Sequence, residues 1–424
     1  MSAQNLHIGI AGAGIAGLIA GVQLQKAGHS VFIFESRSNT GGRIRSLEVA
    51  GLLVESGPEF IHGNFTETFG LLRKYNIPVE PVNGKMYSAR GGKIEESYDM
   101  AEGWDQLLNK MRSADPDLPF HEFLINNFPG KRFTELRNAA IGFAEGYDLA
   151  DVETASTRAL VSEWELEDSE QYHIPSGYGM LVSSLENEFT NLGGKIFLNH
   201  AVECIDWHSA DILVRVKGNQ VFRMDKVLIS LPLGILQHTA PPSESVIFLP
   251  ALVEKQRAFS QIGFGTVIKI VMIWETAFWK PRVPEALFIF SDHFIPTWWT
   301  PYPQDFPLLT GWLGGPRAAD VSDKPDIFFL EKALESLSSI FSIPTVELKN
   351  KLKDFRIFNW KNESWSRGAY SYSLVGSTIA KAMCREPVQD RIYFTGEAYY
   401  EGPYPGTVEA AVVSGLETAR QLLS

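Results

Sequence analysis

The chain opens on two short apolar runs separated by a glycine-spaced turn and a stretch of helical periodicity. Leu6-His7-Ile8-Gly9-Ile10 leads into Gly12-Ala13-Gly14-Ile15-Ala16-Gly17, after which Leu18, Val22 and Leu24 recur at helical spacing as far as Gly28. Val31-Phe32-Ile33-Phe34 is continuously apolar, as expected of a parallel strand covered on both faces, and Glu35 closes it. Strand, helix and strand are predicted in that order. Further along, Trp104 to Met111 and Phe133 to Gly146 carry helical patterns, and Val267 to Ile273 is a β-type run interrupted by a lysine at 269. Phe394 to Glu397 reads as a strand ending in Gly-Glu, followed by a Gly/Pro/Tyr loop and a helix from Thr407 to Leu423. Ile8 to Leu24 is apolar enough to suggest a secretory leader, but no basic stretch precedes it and Gly9, Gly12, Gly14, Gly17 and Gly21 punctuate it. Elsewhere no apolar run reaches the ~18 residues of a spanning helix. The expectation is a soluble, cytoplasmic protein with no membrane partner.

The first βαβ segment has a specific chemistry. Gly12 permits the tight turn, Gly14 lets backbone approach a pyrophosphate, and Gly17 allows close helix–strand packing. The helix N-terminus offers N–H groups and a positive dipole end to phosphates, and Glu35 is placed to accept ribose hydroxyls. The bland alternative is a glycine-rich turn without a ligand. A dinucleotide fingerprint of this kind does not separate NAD from FAD. Thr40-Gly41-Gly42-Arg43-Ile44-Arg45 adds a second glycine loop that brings a guanidinium toward the same phosphates, where Arg43 can bond in a bidentate way.

With these motifs on view, the sequence resembles the flavin-containing amine oxidase family, which includes monoamine oxidases, polyamine oxidases and lysine-specific histone demethylases. Four blocks spread over the whole chain carry the likeness: the dinucleotide motif through Arg43; Glu55-Ser56-Gly57-Pro58-Glu59-Phe60-Ile61-His62-Gly63; Gly265-Thr266-Val267-Ile268-Lys269; and Arg391-Ile392-Tyr393-Phe394-Thr395-Gly396-Glu397 with Gly406-Thr407-Val408-Glu409-Ala410-Ala411. The resemblance implies an α/β fold, a Rossmann-type FAD-binding domain interleaved with an α+β substrate-binding domain. It implies cofactor contacts at Gly12, Gly14, Ile15, Ala16, Gly17, Glu35, Ser36, Arg37, Gly42 and Arg43, then at Gly57, Pro58, Glu59, Phe60 and Val202, and finally at Trp360, Gly396, Glu397, Thr407 and Val408. Lys269 corresponds to the lysine that holds a water against flavin N5, although on its own it also fits an edge strand facing solvent.

Trp360-Lys361-Asn362-Glu363-Ser364-Trp365-Ser366-Arg367-Gly368-Ala369-Tyr370 resembles the segment where monoamine oxidases place two aromatics, a flavin-linking cysteine and a substrate-facing tyrosine. Ala369 fills the cysteine position, so noncovalent FAD is expected. Lys269, Tyr370 and His62 are the expected catalytic residues, and Phe60, His62, Trp365, Tyr370 and Tyr404 the expected substrate contacts. Thr407 stands where the second tyrosine of the usual aromatic cage would be, and Tyr404 or Tyr400 could replace it. His62 is similar to the histidine of polyamine oxidases at the tunnel mouth, able to move protons near neutral pH, and equally fits a structural histidine. Phe60 occupies the place where L-amino-acid oxidases carry a carboxylate-clamping arginine, which argues against that class.

Composition narrows the rest. The chain has 424 residues, 45% of them hydrophobic, with ten Trp, two Cys and a net charge of −12. That is ample core material for a globular protein, and the acidic balance argues against nucleic-acid partners. Cys204 and Cys384 cannot build a disulfide framework, and no HExxH or CxxC spacing suggests a metal. The FAD-binding domain is expected at 1–77, 191–238 and 387–424, and the substrate domain at 78–190 and 239–386. The acid-rich run Glu163, Glu165, Glu167, Asp168 and Glu170 reads first as a solvated face, and second as a means of steering polycations. The expected reaction is hydride transfer from an amine to flavin N5, giving an imine and then an aldehyde, with molecular oxygen as acceptor and hydrogen peroxide as product. A desaturase or protoporphyrinogen-type oxidase shares the glycine loops and is the alternative within enzymes; a non-catalytic flavin-bound interaction module is the alternative outside them. The identity of the amine and the oligomeric state stay open.

Overall fold

The computed structural model describes residues 5–97, 101–165, 170–238 and 245–424. Strand β1 (His7–Ala11), helix α1 (Ile15–Lys26) and strand β2 (Ser30–Phe34) form the predicted βαβ unit. They belong to a five-stranded sheet in the order Lys195–Phe197, β2, β1, Lys226–Ile229, Ile392–Phe394, with all neighbours parallel. Buried Ile8, Ile10, Val31 and Ile33 explain why the central strands read as apolar runs.

Helix α1 has no polar stripe. Nine of its twelve residues are buried, because the helix is enclosed by the sheet, by helix Gly179–Asn191 and by helix Val408–Leu423. The last contact is close: a Cβ on Gly415 would stand 2.4 Å from Ile19 Cγ2 and 2.6 Å from the Ala16 carbonyl oxygen.

The second layer system is a seven-stranded sheet in the order Leu352–Asn359, Val267–Trp274, Leu308–Gly314, Thr297–Trp299, Ala286–Ser291, Lys85–Arg90, Lys93–Glu96. Every residue of Val267–Trp274 is buried, since antiparallel neighbours flank it on both sides. Lys269 therefore lies on an interior strand, and the edge-strand alternative is excluded. Helix Asp326–Phe341 packs its apolar face on this sheet. The predicted helices appear as Trp104–Arg112 and Thr134–Gly146, which share a core with helix Thr157–Trp164. No helix among the described residues is long and apolar enough to cross a membrane.

Two expectations shift. The strand expected at Phe394–Glu397 is Ile392–Phe394, and Glu397 instead begins a short 3-10 turn after Gly396. Packing also crosses the expected joints between the two units. Helix Gly179–Asn191 packs on α1, and Gln171–His173 pairs with Phe60–His62, so the chain returns to the nucleotide-binding side before position 191. Ala258, Phe259, Ile262, Ala380 and Cys384 share a core with Ala11 and Phe34, which extends that side beyond 238 and starts its last segment before 387.

Replacement of Gly415 by alanine should push the two helices apart and cost about 1–3 kcal/mol, the usual range for overpacking. Thermal melting of the cofactor-free protein checks this, and an unchanged transition would contradict the close approach.

Candidate active site

One cavity of about 2000 Å³ runs from the first glycine loop to the seven-stranded sheet. Every residue expected to touch cofactor or substrate lines it, except Gly17 and Tyr404. Gly17 is internal: a Cβ there would stand 2.3 Å from the Gly12 carbonyl oxygen, consistent with its packing role. Gly12 has φ of +101°, and a Cβ on it would meet the Ser230 carbonyl oxygen at 2.8 Å. Gly14 differs, because a Cβ on it would meet no protein atom within 4 Å. That opening lies at the N-terminus of α1, where a phosphate group fits. The two glycine loops are bonded together, Gly41 N–H donating to the Ala13 carbonyl at 2.9 Å.

Glu35 is buried and holds this cradle in shape. Its Oε2 accepts from Ala13 N–H at 2.9 Å, and its Oε1 accepts from Arg37 N–H at 2.9 Å and from Ser36 Oγ at 3.0 Å. Arg37 reaches across to Glu363 and to Ser366 Oγ. At the opposite end, Thr407 caps helix Val408–Leu423 by accepting from Ala410 N–H at 3.2 Å, and Val408 and Ala411 line the cavity. Two helix N-termini thus face one elongated space, one suited to a pyrophosphate and one to an electron-rich ring edge. These features fit FAD. Ala369 carries no thiol, and Cys204 and Cys384 are buried elsewhere, so nothing on this wall can form a thioether.

Arg43 does more than wait for a phosphate. Its Nη1 donates to Glu397 Oε1 and to the Ala369 carbonyl, both at 2.7 Å, while Glu397 Oε2 accepts from Ser371 Oγ at 2.6 Å. The pair of expected cofactor contacts is therefore an ion pair that fixes the segment carrying Tyr370.

Around the expected reaction centre, Lys269 is 1% exposed; its Nζ lies 2.7 Å from Glu59 Oε2 and 3.3 Å from the Gly57 carbonyl. Trp360 Nε1 donates to the Ser56 carbonyl at 3.0 Å, bracing the same segment. The Tyr370 hydroxyl donates to the Tyr147 carbonyl. Burial, and after it the charge of Asp148, raises the Tyr370 phenol well above its ordinary range, so it is a neutral wall. His62 lies between Phe60 and Tyr147, with ring centroids at 5.9 and 5.6 Å. Its Nδ1 is buried without a hydrogen-bond partner, and burial pushes its pKa down to about 4. Burial thus favours the neutral imidazole of His62, with one ring nitrogen unengaged.

Tyr404 does not line the cavity. Its ring packs on Phe65 at 4.8 Å between centroids, inside the core of the nucleotide-binding side, and Tyr400 is not on the cavity wall either. The other aromatic walls are Trp299 and Trp312, 5.8 Å apart, with Phe60 at 5.9 Å from Trp299. Trp299 and Trp312 come from neighbouring strands of the seven-stranded sheet, and only the pairing of those strands brings the two rings together.

The sequence also gave no sign of a carboxyl pair. Asp148 is 3% exposed and lines the cavity; its Oδ2 accepts from Trp164 Nε1 at 2.8 Å. Glu163 stands beside it on the same wall, within reach of a shared proton. Desolvation, then the charge of Glu163, raises Asp148 well above the usual carboxylate range; burial pushes Glu163 up to about 7, opposed by Lys381. Glu163 is thus no part of a solvated face. Glu165 is exposed, lines the same cavity and pairs with Arg112, whereas Glu167 and Asp168 fall outside the described residues.

The sequence profile of flavin containing amine oxidoreductases matches residues 15–423. Lysine-specific histone demethylase 1 homolog 2 of Arabidopsis thaliana is 25% identical over 98% of this chain, which spans 58% of that relative's length. Polyamine oxidase 2 of Arabidopsis thaliana is 25% identical over 99% of this chain and 88% of its own. Among solved structures, a putrescine oxidase bound to putrescine superposes with a TM-score of 0.83 at 21% identity, covering 99% of each chain. Cyclohexylamine oxidase from Brevibacterium oxydans gives 0.80 at 17% identity over 99% of each chain. These two likenesses establish the fold. A profile match over nearly the whole length, laid on a cavity with two opposed helix N-termini, places the chain in the family of flavin containing amine oxidoreductases.

Proposed function

We propose that the chain is an FAD-dependent oxidase of an amine that carries a second cationic group, that is, a diamine or polyamine. The observation that carries this reading is the Asp148–Glu163 pair, a buried and a half-buried carboxyl in the cavity wall beside Tyr370 and Tyr147. Two desolvated carboxyls this close are costly when both are charged, and an alkylammonium would supply hydrogen-bond donors and a compensating charge.

The residues divide the work. Trp299, Trp312, Phe60 and Tyr370 form apolar walls that align an alkyl chain and exclude water. Tyr370 is held rigid through its bond to the Tyr147 carbonyl, and that same backbone turn presents Asp148. The unengaged nitrogen of neutral His62 is a hydrogen-bond partner for the reacting amine. Glu35 with the Gly12–Ala16 turn, and Thr407 with Val408, would hold the two ends of the cofactor. When bound, FAD would supply the two-electron oxidation of the amine to an imine, with oxygen as the electron acceptor giving hydrogen peroxide and with water turning the imine into aldehyde and amine.

The reacting nitrogen must be neutral, whereas alkylamines are mostly protonated near pH 7, with pKa values around 10. Flavin reduction should accordingly accelerate from pH 6.5 to 9, and a flat stopped-flow profile would count against the scheme. The acid pair adds a second pH effect. As pH rises through about 7, the pair loses its shared proton and its attraction for a distal ammonium grows. KM for a diamine should therefore fall across this range, while KM for a monoamine of equal length should not show the same drop.

Glu163→Gln and Asp148→Asn should each raise KM for diamines by about 10–100-fold, equivalent to roughly 1.5–3 kcal/mol for a charge-assisted hydrogen bond. The monoamine KM should change little. Equal losses for both substrates would remove the carboxyl pair from substrate recognition. Purified protein should also be yellow and release its colour into the supernatant on acid precipitation; colour retained in the pellet would refute noncovalent binding.

A further inference from the structure

Lys269 stands on a strand whose eight residues are all buried, and an ammonium in such a place is costly unless it is paired. The partner is Glu59. Its Oε2 accepts from Lys269 Nζ at 2.7 Å, and the Gly57 carbonyl accepts at 3.3 Å. The third N–H of the ammonium is left for the cavity, where the Trp299 ring lies 5.3 Å away. Glu55 is the other acid that feels this charge. It lies further back, its Oε1 accepting from Ser46 Oγ at 2.6 Å and Tyr178 N–H at 2.9 Å.

Glu59 is delivered by backbone that cannot easily move. A Cβ on Gly57 would stand 2.1 Å from the Arg43 carbonyl oxygen, and Trp360 braces Ser56 from the other side. The backbone that carries Glu59 is therefore fixed, and its carboxylate is directed at Lys269. Its side chain is 24% exposed, and that exposure faces the cavity it lines.

We propose that Glu59 is the fixed counter-ion of Lys269, a positioning residue that aims the ammonium and turns this wall of the flavin cavity into a neutral ion pair instead of a lone cation. Sequence resemblance assigns Glu59 a cofactor contact; the geometry gives it a different task. The proposal rests on family membership and is independent of which amine is oxidised.

A charge cycle on the FAD-loaded protein tests it, read as the flavin midpoint potential by dye equilibration without substrate. Reduction adds negative charge, so Glu59→Gln should shift the potential upward and Lys269→Met should shift it downward. The double variant should return close to the parent, and Glu59→Asp should lie between the parent and Glu59→Gln. A Glu59→Gln potential equal to the parent's, beside a lowered Lys269→Met value, would overturn the proposal. Thermal melting of the cofactor-free variants decides independently. Each single change should lower the transition by stranding a buried charge, and the double change should be no worse than either single. Additive losses would show that the two residues are not paired. A parent protein that takes up no FAD would instead undo the functional reading and leave the melting cycle to decide the pairing.

Discussion

The ion pair between Arg43 and Glu397 joins three stretches of chain that are far apart in sequence. Arg43 leaves the second glycine loop, Glu397 follows the last strand of the parallel sheet, and the Ala369 carbonyl and Ser371 hydroxyl complete the cluster. Tyr370 sits between those two residues, so the wall of the substrate space is set by the same charges that border the cofactor space. Glu397 is 4% exposed, and a buried carboxylate of this kind is tolerated only because guanidinium and hydroxyl satisfy it together. Loss of either partner would loosen both halves of the cavity at once.

The cradle was legible because its demands are local. Gly12, Gly14 and Gly17 fall at fixed offsets within one turn, and Glu35 closes the next strand, so a short window of sequence contains the whole device. Lys269 was legible for a related reason: a cation inside a run of β-branched residues conflicts with its neighbours and draws notice. The substrate side was much less so. Asp148 lies on the turn after helix Thr134–Gly146 and Glu163 on helix Thr157–Trp164, each unremarkable within its own window, and they become a pair only because that turn packs on the second helix, where Trp164 bonds Asp148. Tyr404 shows the reverse failure. Its position in a Gly/Pro/Tyr loop beside the family motif suggested a cavity wall, but Phe65 offered its ring a core partner.

Burial changes what the titratable groups can do. His62 would respond to physiological pH if it were exposed, yet inside this cavity it is held neutral. Glu163 moves the other way and becomes responsive near neutrality. The group shifted toward neutrality is thus a carboxyl and not the histidine, and the reason is the same in both cases: desolvation disfavours whichever form carries charge.

The all-round apolar surface of α1 has a consequence for how the chain comes to be folded. Its residues Ile15–Lys26 are made early, yet one of the surfaces that covers them, helix Val408–Leu423, emerges several hundred residues later. During synthesis this helix has no polar side to turn toward water, and the parallel sheet beneath it still lacks its outer strand Ile392–Phe394. The nucleotide-binding side can therefore close its apolar core only after that segment has been made.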